Sequence, residues 1–87
     1  MIRALAMELA PFRINVNALC PGHILTAMNE ELFEDPEYEK AMLSTVPLGR
    51  IGQPSDVTPA AVYLASDESD YVSGTQIIID GGASVMP

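Results

Sequence analysis

A chain of 87 residues holds one small domain, not two, and at that length only about 60 to 65% of the unfolded surface is buried on folding, so the core must be thin. Twelve acidic against four basic residues give a formal charge of −8, which repels phosphate backbones and anionic headgroups and argues against nucleic-acid and membrane-surface roles. With 48% hydrophobic but only 6% aromatic residues and a single cysteine, Cys20, the chain suits α/β layers packed from aliphatic side chains, with neither an intrachain disulfide nor a thiolate metal cluster.

Ile2, Leu5, Ala6 and Leu9 recur at the i, i+3, i+4, i+7 spacing of an amphipathic helix, which Pro11 should end because it cannot donate to the helical ladder. The opening residues are apolar but interrupted by Arg3 and Glu8, and they lack a small-residue cleavage site, so they do not form a signal peptide. No apolar run approaches the roughly 20 residues of a membrane span. These features, with the lone cysteine, predict a cytoplasmic chain.

The segment INVNALC, Ile14 to Cys20, reads as a strand buried on both faces, and its Asn15 and Asn17 are tolerable there only if hydrogen-bonded. A Pro21-Gly22 turn and a loop carrying Thr26 follow. Next comes an acidic stretch in which Glu30, Glu31, Glu34, Asp35, Glu37 and Glu39 supply half of the acidic residues, read as a solvated helix face. Pro36 splits that stretch into two short helical pieces.

Val46 to Val57, with Gly49, Gly52, Pro47 and Pro54, is a loop leading into a helix. Pro54 stands near the first helical position and Asp56 in the first turn. Val57, Ala60, Ala61 and Leu64 give this helix its apolar face, and Pro59 requires a kink or an irregular first turn. The chain turns at Gly74, and TQIIID forms a last strand closed by Gly81-Gly82. Two apolar strands joined by a long helical crossover make a parallel, right-handed βαβ unit.

In open parallel sheets ligands bind outside the carboxyl ends of the strands, which here means Cys20-Pro21-Gly22. A glycine at that point removes the Cβ that would hold a flat ligand away from the main chain, Pro21 fixes the turn, and Thr26 offers a hydroxyl. No carboxylate near His23 in sequence orients it as an acid or base, so it is read as a loop residue. Cys20 is read as core, since nothing cationic precedes it. Arg50 with Asp56 is read as a structural ion pair, and the acidic run lacks the alternating ligands of a calcium loop.

The runs ALAMELAPFRINVNALCPGHILTAM and PLGRIGQPSDVTPAAVYLASDESDYVSGTQIIIDGG resemble the C-terminal part of the short-chain dehydrogenase/reductase family over nearly the whole chain. The family's P-G-x-I-x-T element stands as Pro21, Gly22, Ile24 and Thr26. Its later signature stands as Arg50, Pro54, Asp56, Val57, Leu64, Ala65, Ser66, Asp80, Gly81 and Gly82. The resemblance implies that residues 1–87 are the C-terminal part of a single NAD(P)-binding Rossmann-type domain with an incomplete sheet.

On that resemblance Pro21, Gly22, Ile24 and Thr26 would bind NAD or NADP at the nicotinamide end, with the Ile24 backbone reaching the carboxamide and Thr26 the carboxamide or pyrophosphate side. The acidic segment would close over a small-molecule carbonyl or alcohol substrate, with Leu25, Met28, Leu32 and Phe33 as its apolar contacts. The helices and last strand would form a homo-oligomer. The family's glycine-rich phosphate loop, catalytic serine and Tyr-x-x-x-Lys pair have no counterpart in these residues: the fourth residue after Tyr38 is Met42, after Tyr63 Asp67, after Tyr71 Thr75. No catalytic residue and no metal ligand is therefore assigned, and the chain alone is expected to be inactive. A non-catalytic fragment that pairs with a parent-like subunit, and a truncated reading frame that begins inside the family's helix, remain the other readings.

Overall fold

The computed structural model describes residues 1–86. Its principal elements are α1 (Ile2–Leu9), β1 (Ala18–Pro21), α2 (Pro36–Leu43), α3 (Pro54–Ala65) and β2 (Gln76–Ile79), with short 3-10 turns at Ala10–Phe12, Leu32–Glu34, Asp67–Ser69 and Ala83–Val85. This is the predicted order of helix, strand, broken helix, helix, strand. β1 and β2 pair as a two-stranded sheet. The Ala18 N–H donates to the Thr75 carbonyl and the Gly22 N–H to that of Ile79, each at 3.0 Å, and the constant offset is that of a parallel pair.

The chain divides into two compact units, Met1–Cys20 with Thr58–Ile78 and Pro21–Val57 with Ile79 onward. In the first, α1 places Ala6 in the core and leaves Ile2, Leu5 and Leu9 half-buried, as their spacing predicts, while Met7 and Phe12 face solvent. Pro11 does not simply stop the chain. It sits inside the 3-10 turn that follows α1, and Arg13 caps that turn in the left-handed conformation at φ 60°.

The first strand is shorter than the sequence suggests. Ile14 donates its N–H back to the Leu9 carbonyl at 3.3 Å, and Asn15 to Asn17 bond to a loop instead of a strand: the Asn15 amide donates to the carbonyls of Ser69 (3.3 Å) and Asp70 (3.0 Å), and the Val16 N–H donates to Ser73 Oγ at 3.1 Å. Asn17 donates to the Val72 carbonyl at 2.9 Å and accepts from the Thr75 N–H at 3.1 Å. Both asparagines are thus hydrogen-bonded, although Ile14 and Asn15 are exposed and the segment is not buried on both faces. Gly74, at φ +80°, makes the turn before β2, and its N–H donates to the Val16 carbonyl at 2.7 Å.

α3 is continuous through Pro59, so the proline costs one internal hydrogen bond without ending the helix. Val57, Ala60 and Leu64 are half-buried, but Ala61 is exposed and does not belong to the apolar face. Beyond its end, the hydroxyl of buried Ser69 is shared between the carbonyls of Leu64 (3.1 Å) and Ser66 (3.0 Å), the second of which also accepts the Ser69 N–H at 3.2 Å.

In the second unit Val46 is the buried apolar residue. Gly81, at φ +65°, lies so near it that an added Cβ would stand 2.7 Å from Val46 Cγ1. Pro36 takes the first position of α2, and the Asp35 carboxylate accepts the Glu37 N–H at 3.0 Å as its cap. The Phe33 and Tyr38 rings meet edge to face across that junction at 5.2 Å. Among the described residues no helix is long and apolar enough to cross a membrane, and no group of three or more His, Cys, Asp or Glu could hold a metal ion.

Candidate functional site

The loop after β1 belongs wholly to the second unit. Proline is itself the last residue of β1, and Gly22 follows with its N–H paired to the Ile79 carbonyl. The structure adds a reason for glycine here. A Cβ on Gly22 would stand 2.6 Å from Asp80 Cβ and 2.9 Å from Asp80 Cα, so the first thing it meets is the end of β2, ahead of any ligand.

From His23 to Thr26 the backbone is held from two directions. Gly52 forms an isolated parallel bridge with Ile24, its N–H donating to the His23 carbonyl at 2.9 Å and its carbonyl accepting the Leu25 N–H at 2.8 Å. A side chain at Gly52 would collide with Ile24 Cδ1 at 2.6 Å, so glycine is needed for this approach. From the other direction the Asn29 amide donates to the Ile24 carbonyl at 2.9 Å, and Asn29 Oδ1 accepts the Thr26 N–H at 2.7 Å. Among the described residues the Ile24 N–H and the Thr26 hydroxyl have no hydrogen-bond partner, and Thr26 is exposed, so both are available to a ligand.

Asn29 and Gly52 were not legible as loop-setting residues. The signal for Asn29 is a Thr-x-x-Asn spacing that lets one short amide close a turn in both directions. Gly52 carries no local signal, because its partner lies 28 positions earlier in the chain.

A cleft of about 450 Å³ opens beside the loop, lined in part by Leu25, Phe33 and Leu43, with Glu30, Glu34, Glu39 and Arg50 around them. Of the four apolar residues assigned to the lid, Leu25 and Phe33 line this cleft. Met28, 97% exposed, and Leu32, 52% exposed, do not line it.

The Arg50 guanidinium grips Asp56 with a two-pronged contact, Nη1 to Oδ2 at 2.9 Å and Nη2 to Oδ1 at 2.8 Å, as the ion-pair reading requires. Oδ2 also accepts the Gln53 N–H at 2.7 Å. These donors, Arg50 foremost, hold the Asp56 carboxyl well below the usual carboxylate range and raise the Arg50 pKa in turn. At the end of β2, Asp80 accepts the N–H groups of Ser84 (2.8 Å) and Gly82 (2.9 Å), and its pKa is lowered chiefly by the Ser84 N–H. His23 is exposed, and Cys20 is a half-buried free thiol.

Residues 1–84 match the family model described as enoyl-(acyl carrier protein) reductase. L-rhamnose-1-dehydrogenase of Scheffersomyces stipitis is 46% identical over 85 residues, which cover 98% of this chain and 33% of that protein. 3beta-hydroxysteroid dehydrogenase 1 of Eggerthella lenta is 44% identical over all 87 residues, again 33% of its length. A crystal structure of a candidate 2-deoxy-d-gluconate 3-dehydrogenase from Agrobacterium tumefaciens, with bound NADP, superposes with a TM-score of 0.89 at 42% identity, covering 98% of this chain and 35% of that one. The chain thus spans about a third of the length of the proteins it matches.

Proposed function

The chain belongs to the short-chain dehydrogenase/reductase family and carries part of its Rossmann fold, and from that premise we propose that residues 1–87 are the C-terminal part of one NAD(P)-binding domain. The complete enzyme transfers hydride between nicotinamide and a small-molecule carbonyl or secondary alcohol. The observation that carries the reading is the loop from Pro21 to Thr26. It leaves the carboxyl end of a parallel strand, where such folds bind ligands, and keeps the Ile24 N–H and Thr26 hydroxyl unpaired beside the cleft that Leu25 lines.

In this reading Pro21, Gly22, Ile24 and Thr26 form the nicotinamide-side wall. NAD or NADP supplies the hydride chemistry when bound. Ile24 and Thr26 fit the cofactor's carboxamide and phosphate groups, because each offers a donor that no protein group occupies. The cleft lined by Leu25, Phe33 and Leu43 receives the substrate's apolar part, and the 32–43 segment is its lid. Assembly with copies of itself through the helices and last strand is supported by the exposed apolar side chains of Met7, Phe12 and Val62, each more than 60% exposed.

Two measurements test the reading. Thr26→Ala in the complete enzyme should weaken cofactor binding by about 0.5 to 1.5 kcal/mol, the net worth of one hydrogen bond; unchanged affinity in a titration would remove Thr26 from the site. The 87-residue chain by itself should reduce no carbonyl with either cofactor, since no tyrosine in it is followed by lysine four positions later to deliver the proton. Cofactor-dependent turnover by that chain would refute this.

A second reading, a non-catalytic fragment that pairs with a parent-like subunit, is favoured by the thin core: Ala6 and Val46 are the buried apolar residues, and no side chain is fully buried among the described residues. Size-exclusion chromatography with hydrogen exchange on the 87-residue chain separates the two. A chain that becomes ordered only with a partner subunit favours the fragment, and a well-protected monomer counts against it.

A further inference from the structure

Between Arg50 and Asp56 the chain makes a closed turn. Asp56 belongs to the first turn of α3, so its carboxylate is fixed by a helix. It reaches back to take both prongs of Arg50 and the Gln53 N–H. Gly52 lies inside that turn, and through its N–H and carbonyl it holds His23 and Leu25, the residues on either side of Ile24. A path therefore runs from a helix, through a carboxylate to the Gln53 N–H, and by the adjoining Gly52 to the backbone of the loop. The Arg50 and Asp56 side chains are 60% and 29% exposed, and pairs so open to water add little to stability. A two-pronged guanidinium–carboxylate contact does, however, fix direction as well as distance.

We infer that Arg50 and Asp56 are positioning residues for the cofactor-side loop: by setting Gly52 against Ile24 they hold the Ile24 N–H and the Thr26 hydroxyl where a nicotinamide would meet them. The inference rests on the reading of Pro21–Thr26 as a cofactor wall. Arg50 touches no cofactor in this scheme, and Asp56 acts only through Gln53, Gly52 and Arg50.

The test compares Asp56→Ala, Arg50→Lys and Thr26→Ala in the complete enzyme, with three readouts: hydrogen exchange at the Gly52 and Leu25 amides, cofactor affinity from titration of the reduced nicotinamide, and thermal midpoint. Asp56→Ala is expected to speed exchange at both amides and to weaken cofactor binding about three- to tenfold, roughly the effect of one lost hydrogen bond, with little change in thermal midpoint. Arg50→Lys keeps the charge and loses the fork, so it should fall between Asp56→Ala and the parent, and it serves as the readout if Asp56→Ala does not fold. Unchanged exchange at Gly52 and Leu25 would overturn the inference whatever the cofactor does. Faster exchange with unchanged affinity, while Thr26→Ala weakens binding, would overturn it and leave the cofactor wall standing. Faster exchange with no effect of any variant on affinity would bring down the cofactor wall, and the inference with it.

Discussion

The two units of the chain secure their irregular backbone with different chemistry. In the first, Asn15 and Asn17 reach across more than 50 positions to the 69–75 loop, donating to carbonyls and accepting an N–H. In the second, the carboxylates of Asp35, Asp56 and Asp80 gather nearby N–H groups at turns and helix starts, while Gly22, Gly52 and Gly81 let segments approach more closely than a Cβ allows. An amide both donates and accepts, so it can bridge two distant strands of backbone; a carboxylate only accepts, so it suits places where donors converge. The difference teaches that the region holding the candidate site adds local carboxylate caps and close glycine approaches to the one amide, Asn29, that closes its loop, whereas its neighbour relies on asparagine bonds of long range.

Four changes should break or sharpen that contrast. Gly22→Val is the most damaging, since its Cβ enters the space of the Asp80 backbone; a loss of about 3 kcal/mol, the upper part of the overpacking range, is expected in denaturant unfolding. Asn17→Ala should cost about 1 to 2 kcal/mol, because the Val72 carbonyl and Thr75 N–H lose their partner while partly buried. Ser69→Ala, which removes the hydroxyl from the Leu64 carbonyl and leaves that of Ser66 only the backbone N–H, should cost about 1 kcal/mol in the same assay.

The smallest effect is one of pH, and it separates the units directly. Asp56 and Asp80 are depressed in the folded state relative to an ordinary carboxylate near about 3.9, so the stability they contribute is complete above that value. It is lost as pH falls below about 4 and through their lowered folded values. The asparagine bonds of the first unit contain no titrating group. Hydrogen-exchange protection at Gln53, Gly82 and Ser84 should therefore hold down to about pH 4 and fall progressively below it, while that at Thr75 does not change. Equal loss at Thr75 would show that the two kinds of fastening do not act separately.

The apolar spacing of α1, the break at Pro36, the start of α3 at Pro54 and the Arg50–Asp56 pair were all legible in the sequence, because each depends on residues within a few positions of one another. The extent of β1 was not. Ile14 to Asn17 have strand-like composition, yet whether an extended segment pairs with a strand or with a loop is decided by its distant partner. Gly22 shows the same limit: proline and glycine after an apolar run announce a turn, but only the arrival of Asp80 explains why that glycine has no side chain. Thr26 was visible as a hydroxyl at a strand exit, whereas the Asn29 amide and the Gly52 bridge that hold its loop were not.

The edge-to-face contact of Phe33 with Tyr38, at an interplanar angle of 70°, changes what the proline between them means mechanically. A proline-broken helix is ordinarily a joint. Here the ring pair spans the break, and the Asp35 cap fastens the first turn of α2 from the same side of it. The two helical pieces of the 32–43 segment are therefore tied to each other across the proline, and Ser44 and Thr45 prolong that tie by bonding back to Lys40, Ala41 and Met42. Phe33 and Leu43, which both line the cleft, thus stand at the two ends of one braced unit.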